Sequence, residues 1–309
     1  MIPFSNTTKK NLLFVLKLAV VFAAFYFIYN QISNNSKLDW SKFQSLVLDK
    51  TTFSTLFIVL LFSFANRYLE ILKWKNLVMV IQGISTNEAS KQVLGALTLA
   101  IFTPNGLGEY AGKALFYKKE QAKTIVFLNL ICNGIQMFYT VFFGLFALLF
   151  LGYWKWFFIL LLIFLLFFIV LFVSKKITIK GYSIEKLVTK INQIPRYIHK
   201  KNSILALLRY FVFSHQYYIL FLIFEVNLPY LTLISTIFVV YFLASSLPSF
   251  QFLDFAVKGS VAVFFFGKLG INEWIVVFIS TLMWFLNVVL PVVIGSFYVL
   301  KFRLNHSKE

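Results

Sequence analysis

The chain has very little of the chemistry from which metal centres and disulfide frameworks are built. Its single cysteine, Cys132, lies inside an apolar run, which excludes a disulfide framework and a cysteine metal site. Its three histidines, at 199, 215 and 306, are scattered without metal-ligand spacing. The Gly-rich lysine loop of ATP-binding proteins, the His-x-x-x-His pair and the Gly-x-Ser-x-Gly motif are also missing. We therefore predict a chain that is not an enzyme and has neither cofactor nor metal.

Acidic residues are scarce as well, with 11 Asp and Glu against 29 Lys and Arg and a net charge of +18. In a soluble protein this excess would suggest nucleic acid, but 60% of the residues are hydrophobic, 20% are aromatic and the mean hydropathy is +0.82. Soluble domains do not have this composition, and several apolar runs reach the roughly 20 residues that cross a bilayer. We predict an all-α polytopic membrane protein with no nucleic-acid partner and a single transmembrane domain over 1–309.

The apolar runs predict about six full transmembrane helices. Lys9 and Lys10 precede the first, and no small-residue cleavage site follows it, so we expect an uncleaved span. Two further pairs of apolar segments are too short to cross and are interrupted at their middle, which predicts two re-entrant broken hairpins at 93–117 and 229–266. The full spans are predicted at Leu12–Tyr29, Thr51–Asn66, Thr124–Leu151, Trp154–Ser174, Ile204–Phe224 and Trp274–Leu300.

The first interruption, Thr103 to Gly108, is the most informative stretch of the chain. Pro104 removes a backbone donor, and Gly106 and Gly108 permit backbone angles that other residues avoid. An irregular backbone at membrane depth is tolerated only where it is buried in protein or lines a wet cavity. Glu109 and Lys113 follow, and ionisable residues inside a membrane indicate a functional site. The alternative is a polar loop at the membrane surface.

A second interruption has the same pattern. Pro248 is followed by Asp254 and Lys258, as Pro104 is followed by Glu109 and Lys113. The halves, about 1–152 and 153–309, therefore predict an inverted repeat of three spans and one hairpin each, with a surface helix at 38–48 in one and 184–194 in the other. Paired interrupted segments in inverted halves indicate a transport site near the midplane. Chance similarity is the alternative.

The distribution of Lys and Arg predicts the orientation. Most of them fall on the side of both termini and of the loop 175–203, whereas the opposite side carries only Lys37, Lys42, Lys50, Lys155 and Lys268. Cytoplasmic loops are enriched in Lys and Arg, so both termini are predicted to be cytoplasmic. Within 175–203 the apolar residues fall on one helical face, which predicts a basic amphipathic helix on an anionic leaflet.

Two pairs of side chains, Glu109 with Lys113 and Asp254 with Lys258, have i,i+4 spacing. The functional interpretation is a polar transport path formed by these four with Asn129 and Asn133, and shaped by Pro104, Gly106, Gly108 and Pro248. The alternatives are salt bridges that only fasten the hairpins and asparagines that only join helices. Near other helix ends, Asn66, Arg67 and Glu70 predict a surface ion pair, and Arg209 is expected to extend to the membrane surface.

The run IFTPNGLGEYAGKALFYKK, residues 101–119, resembles the signature of the lysylphosphatidylglycerol synthase transmembrane region family, flippase-like integral membrane proteins. The basic mid-chain loop and Leu247-Pro248 are similar to that family too. The resemblance implies a lipid flippase of the cytoplasmic membrane. In bifunctional members a separate soluble domain transfers the amino acid; here we expect the flippase part alone. Relatives commonly have arginine where this chain has Lys113 and Lys258.

These observations lead to a flippase hypothesis: a polar-headed lipid, phospho- or aminoacyl-, moves between leaflets through a cleft between the hairpins. The partners would be anionic or zwitterionic membrane lipids, with a homo-oligomer and a cytoplasmic partner at 175–203 left open. The alternative is a membrane enzyme or enzyme subunit acting on a lipid or polyprenyl-phosphate head group, with Glu109 or Asp254 as general base. A third hypothesis is a scaffold that recruits a cytoplasmic enzyme through the basic loop.

Overall fold

The computed structural model describes residues 40–101, 103, 106–178 and 183–300, together with Val15, Tyr26 and Tyr29. The predicted span Leu12–Tyr29, apart from Val15, Tyr26 and Tyr29, lies outside the described residues, as do Pro104 and the residues after Leu300. The described part is helical throughout. Its helices are α1 (Trp40–Lys50), α2 (Phe53–Val78), α3 (Thr86–Ala100), α4 (Gly108–Ala114), α5 (Ala122–Phe150), α6 (Trp154–Val173), α7 (Ile184–Gln193), α8 (Arg196–Ile223), α9 (Tyr230–Ser246), α10 (Asp254–Lys268), α11 (Glu273–Trp284) and α12 (Leu290–Leu300), with a π-helical segment, Phe285–Val289, between the last two.

Five helical stretches in the described part are long and apolar enough to cross a membrane. They coincide with five of the predicted spans and fit a multi-pass membrane protein. The clearest is α6, which contains no buried residue and has the highest hydropathy of the five. The stretches are Phe53–Val78, Lys119–Phe150, Trp154–Val173, Arg196–Ile223 and Glu273–Leu300.

Helix α2 is longer than predicted. Thr52 caps its N-terminus by accepting from the Thr55 N–H, and the helix continues through the charged residues that were expected to end the span at Asn66. It continues because Asn66, Glu70 and Lys73 are buried against other helices instead of facing water. Charged residues therefore mark the interior of the bundle here, and not its surface.

Helices α2 and α8 form an antiparallel pair in the middle of the bundle. The Gln216 side chain donates to the Val59 carbonyl at 3.0 Å, and at the other end the Asn76 side chain donates to the Ile198 carbonyl at 2.9 Å. Because residue numbers rise along one helix as they fall along the other, the two chains run in opposite directions. This pair makes the most extensive helix–helix contact in the described part.

Each broken hairpin packs against the last long helix of the other half. Helix α3 lies against α12, and α9 lies against α5. Both contacts are made at a glycine: a Cβ on Gly295 would overlap the Leu94 carbonyl, and a Cβ on Gly144 would overlap the Phe242 side chain. In both contacts the lack of a glycine side chain allows the two helices to approach closely.

Candidate functional site

A cavity of about 300 Å³ lies where the two hairpins meet α2, α5, α8 and the π-helical segment. Its apolar lining comes mainly from aromatic and branched side chains, and its polar lining comes from nine different helical segments and loops of the described part. The cavity is therefore formed by both halves of the chain. The polar and charged lining residues include Asn66, Arg67, Glu70, Glu109, Asn133, Gln136, Arg209, Gln251, Asp254, Lys258 and Asn287.

The first hairpin presents Glu109 to this cavity. Lys113, one turn later, is fully buried and donates to Glu109 at 2.6 Å and to Asn129 Oδ1 at 2.7 Å. Its ammonium also lies 4.4 Å from the centroid of the Trp74 ring, a cation–π distance. Of the predicted path residues, Glu109 thus lines the cavity, whereas Lys113 and Asn129 are packed behind it and hold the carboxylate in place.

The second hairpin presents both members of its pair. Asp254 and Lys258 form an ion pair, and both line the cavity. Their side chains are 18% and 35% exposed, against 0% for Lys113. The Lys258 ammonium is thus reachable from the cavity, and the two interruptions, which share the order proline, acid, lysine, differ in which charges they offer.

The loops of the two hairpins touch each other. Gly106 has a left-handed backbone with φ of 67°, and a Cβ at this position would lie 3.0 Å from Gln251 Oε1. Gly108 packs so closely on the Leu99 carbonyl that a side chain would collide with it. Helix α9 ends at Ser246 because Leu247, the residue before Pro248, is extended. The predicted hairpin-shaping residues Gly106, Gly108 and Pro248 are therefore where the backbone turns.

A buried ion cluster forms one wall of the cavity. The Glu70 carboxylate receives the Arg209 guanidinium at 2.8 Å and the Lys73 ammonium at 3.3 Å. The prediction of a surface ion pair at Asn66, Arg67 and Glu70 was wrong, because Asn66 and Glu70 are each only 4% exposed. The prediction that Arg209 extends to the membrane surface was also wrong, since its guanidinium contacts Glu70, Asn66 and Gln136.

A signal for this cluster was present in the sequence. Asn66, Glu70 and Lys73 are spaced i, i+4 and i+7, so they share one face of a continuous helix. The hydropathy pattern predicted that the span ends at Asn66. Glu70 and Lys73 were therefore expected outside the span, and the face that they share with Asn66 was not recognised.

A chain of amide hydrogen bonds crosses the bundle beside the cluster. Asn66 donates to Asn287 at 2.6 Å, Asn287 donates to Gln216 at 3.0 Å, and Gln216 donates to the Ser63 hydroxyl at 2.6 Å. Asn287 lies in the π-helical segment, and such segments occur frequently at functional sites. The widened turn directs the Asn287 amide towards both α2 and α8, so three helices are joined at one point.

Positive charge exceeds negative charge around the cavity. The lining contains three basic residues, Arg67, Arg209 and Lys258, and three acidic ones, Glu70, Glu109 and Asp254. Two further basic residues, Lys73 and Lys113, lie behind the lining. Among the described residues Arg67 forms no ion pair with a carboxylate; it donates to the Asn287 carbonyl at 2.6 Å, and its buried Nε has no partner. A guanidinium with free donors in a site of net positive charge is suited to an anion.

Comparison with known proteins identifies no relative: no family model matches the chain, and no curated protein matches it.

Proposed function

We propose that this protein is a translocator of polar-headed lipids, in which an anionic phosphate-bearing head group crosses the membrane through the cavity between the two hairpins. The observation that carries the proposal is the cavity itself. It lies inside a bundle of membrane-length helices, it is lined by charges from both hairpins, and Lys73 and Lys113, behind its three basic and three acidic lining residues, give the site a net positive charge.

An inverted repeat with two re-entrant hairpins is the topology that we infer for this function. Helices α3, α4, α9 and α10 have 15, 7, 17 and 15 residues, fewer than the roughly 20 that cross a bilayer. The reciprocal packing at Gly144 and Gly295 supports the two-fold correspondence of the halves. Both features are typical of transporters whose substrate site lies between repeats.

The chemistry of the cavity suits transient binding of a head group. Arg67 and Lys258 can donate to phosphate oxygens, while Glu109 and Asp254 can accept from a head-group ammonium. An incoming phosphate would compete with Asp254 for Lys258, and a head-group ammonium would then pair with the displaced Asp254 carboxylate, so that no bare charge is left in a low-dielectric site. The acyl chains would remain in the surrounding lipid.

The resemblance of residues 101–119 to the signature of the lysylphosphatidylglycerol synthase transmembrane region family supports the same class of substrate. It also supports the cytoplasmic membrane as the location.

The direct test is reconstitution in liposomes with head-group-labelled phospholipids, measuring how fast the label becomes accessible to a membrane-impermeant quencher. Lys258→Gln and Arg67→Gln each remove a charge-assisted hydrogen bond of about 1.5–3 kcal/mol, so we expect about 10- to 100-fold slower movement of anionic lipid. Lys155→Gln, at the start of the exposed helix α6, is the matched control and should move lipid at the wild-type rate.

Equal rates in wild-type and protein-free liposomes, across anionic and zwitterionic lipids, would refute the translocator. A chemically altered lipid would instead favour a membrane enzyme acting on a head group. Mass spectrometry of the extracted lipids separates these outcomes.

A further inference from the structure

A second cavity, of about 310 Å³, opens on the side of the bundle between α2, α8 and the region around the π-helical segment. We call it the lateral groove. Among the described residues, its polar lining consists of Lys50, Thr51 and Thr55, and the remainder is apolar. Leu56 and Leu60 on one wall are 49% and 46% exposed, so the groove is open towards the lipid along its length.

The polar end of the lateral groove lies at the end of the bundle. Helix α2 begins at Phe53 and the antiparallel α8 ends at Ile223, which places Lys50 and Thr51 beside Phe224. From there the apolar part runs inward to Val59 and Leu286, next to the amide chain that walls off the central cavity. The groove therefore extends from a membrane boundary towards the middle of the bundle.

The polar end carries charges of both signs. Lys50 Nζ lies 2.5 Å from the Glu225 carboxylate and 3.7 Å from that of Asp49. Both carboxylates are mainly exposed, with side chains 61% and 78% accessible, whereas Lys50 is largely covered. A cation flanked by two exposed carboxylates complements a head group that combines a phosphate with an ammonium.

We propose that the lateral groove is a lipid-binding site that holds one acyl chain of an amine-bearing zwitterionic phospholipid, with the head group at Lys50, Asp49 and Glu225. A molecule that is polar at one end and apolar over the rest matches the order of the lining residues. The site lies in one leaflet only, and it does not depend on translocation through the central cavity.

The head group must supply most of the selectivity of this site. An acyl chain gains no hydrophobic free energy on moving from lipid into an apolar groove, because the lipid is equally apolar. Shape complementarity and the charged end of the groove are the remaining contributions. Phosphatidylethanolamine should therefore compete for the site better than phosphatidylglycerol with the same acyl chains.

The test is photo-crosslinking of the full chain in nanodiscs with a phosphatidylethanolamine that carries a diazirine in the middle of one acyl chain, followed by mapping of adducts by mass spectrometry. We expect labelling of Leu56, Leu60 and Leu282 that saturates and is displaced by unlabelled phosphatidylethanolamine. Helix α6, which has no buried residue, reports the background from bulk lipid and should not saturate.

Two variants test the apolar part and the charged end of the groove separately. Leu282→Trp fills the groove, and we expect at least about tenfold weaker saturable labelling, with Leu162→Trp on α6 as the matched control. Asp49→Asn combined with Glu225→Gln leaves the apolar part intact and removes both carboxylates that would bind the ammonium, so it should abolish the preference for phosphatidylethanolamine over phosphatidylglycerol. Retained circular dichroism shows that each variant is folded; if Leu282→Trp is not, the double variant decides.

Groove labelling that is neither saturable nor higher per residue than that of α6 would overturn the proposal. So would displacement by both phospholipids alike. Neither result bears on the liposome assay, in which failure of the translocator would appear as lipid movement no faster than in protein-free vesicles.

Discussion

Individual charges inside this bundle are held by partners, some one helical turn away and others on another helix. Glu70 of α2 faces Arg209 of α8, and Glu109 faces Lys113 with Asn129 behind it. A buried charge is costly unless it is paired and hydrogen-bonded, so removing one member leaves the other uncompensated. The interior is therefore most sensitive at the residue with the most charged partners, which is Glu70.

Glu70→Gln should destabilise the protein by about 3–5 kcal/mol, because Lys73 and Arg209 lose their shared carboxylate in a buried site. The measurement is the free energy of unfolding in detergent from a denaturant titration followed by circular dichroism. The control is Glu88→Gln, which removes an exposed i,i+3 partner of Lys91 and should change stability by less than about 1 kcal/mol. Equal effects of the two variants would contradict the buried cluster.

Glu225→Gly should raise the melting temperature. Glu225 ends α8 with φ of 59°, a left-handed conformation that favours glycine, and the N–H of Val226 bonds back to the Phe221 carbonyl. Glu225→Gln is the control, because it retains the unfavourable backbone and loses the ion pair with Lys50, and it should melt slightly below wild type.

The advantage of Glu225→Gly should grow in acid. The hydrogen bond and charge of Lys50 lower the pKa of Glu225, and Glu225 raises the pKa of Lys50. The ion pair therefore contributes above the ordinary pKa of glutamate and is lost as the pH falls through the lowered value. Below that pH the wild type keeps the strained backbone without the pair, so melting curves against pH should diverge on the acid side.

Helices from the two halves approach each other closely at Gly144 and Gly295, so a substitution at such a glycine tests the packing between the halves. Gly295→Ala should destabilise by about 1–3 kcal/mol, because its methyl group would overlap the Leu94 carbonyl of α3. Gly134→Ala in α5 meets no atom within 4 Å and should be neutral or stabilise by up to about 1 kcal/mol. The free energy of unfolding of each variant is compared with that of the wild type under one condition. It should fall for Gly295→Ala and should be unchanged or higher for Gly134→Ala.

Hydropathy predicted most helices well and failed where charge is buried. The predicted Trp154–Ser174 became Trp154–Val173, and α9 ends and α10 begins on either side of the predicted interruption at Pro248. By contrast α8 begins at Arg196 and not at Ile204, because a basic first turn does not prevent a helix from continuing.

The prediction of the site residues likewise succeeded for some residues and failed for those whose charges are buried. Glu109, Asn133, Asp254 and Lys258 were predicted from local pattern and line the cavity. Arg67, Glu70 and Arg209 were not assigned to it, because their roles depend on partners in distant segments.

At the scale of the whole molecule, the predicted orientation can be tested with single cysteines. Cys132→Ala removes the single native thiol, and a new thiol is then placed before α6 crosses by Lys155→Cys, or after it, in α7, by Lys190→Cys. A helix of 20 residues is about 30 Å long, enough to cross the hydrocarbon core. A membrane-impermeant maleimide should label position 155 in intact cells and position 190 only after permeabilisation. Labelling of both from one side would contradict the topology.

The ion cluster also has a consequence for biosynthesis. Asn66 and Arg209 are 143 positions apart, so at about 5–20 residues per second the ribosome finishes α2 roughly 7 to 29 s before its partner helix exists. During that interval Asn66 and Glu70 lack Arg209, their partner on α8, and a charged residue costs about 2.5–3.5 kcal/mol at the centre of an inserting helix. The second half of α2 should therefore wait outside the hydrocarbon, held by the insertion machinery or at the cytoplasmic surface, until α8 emerges and the two enter together.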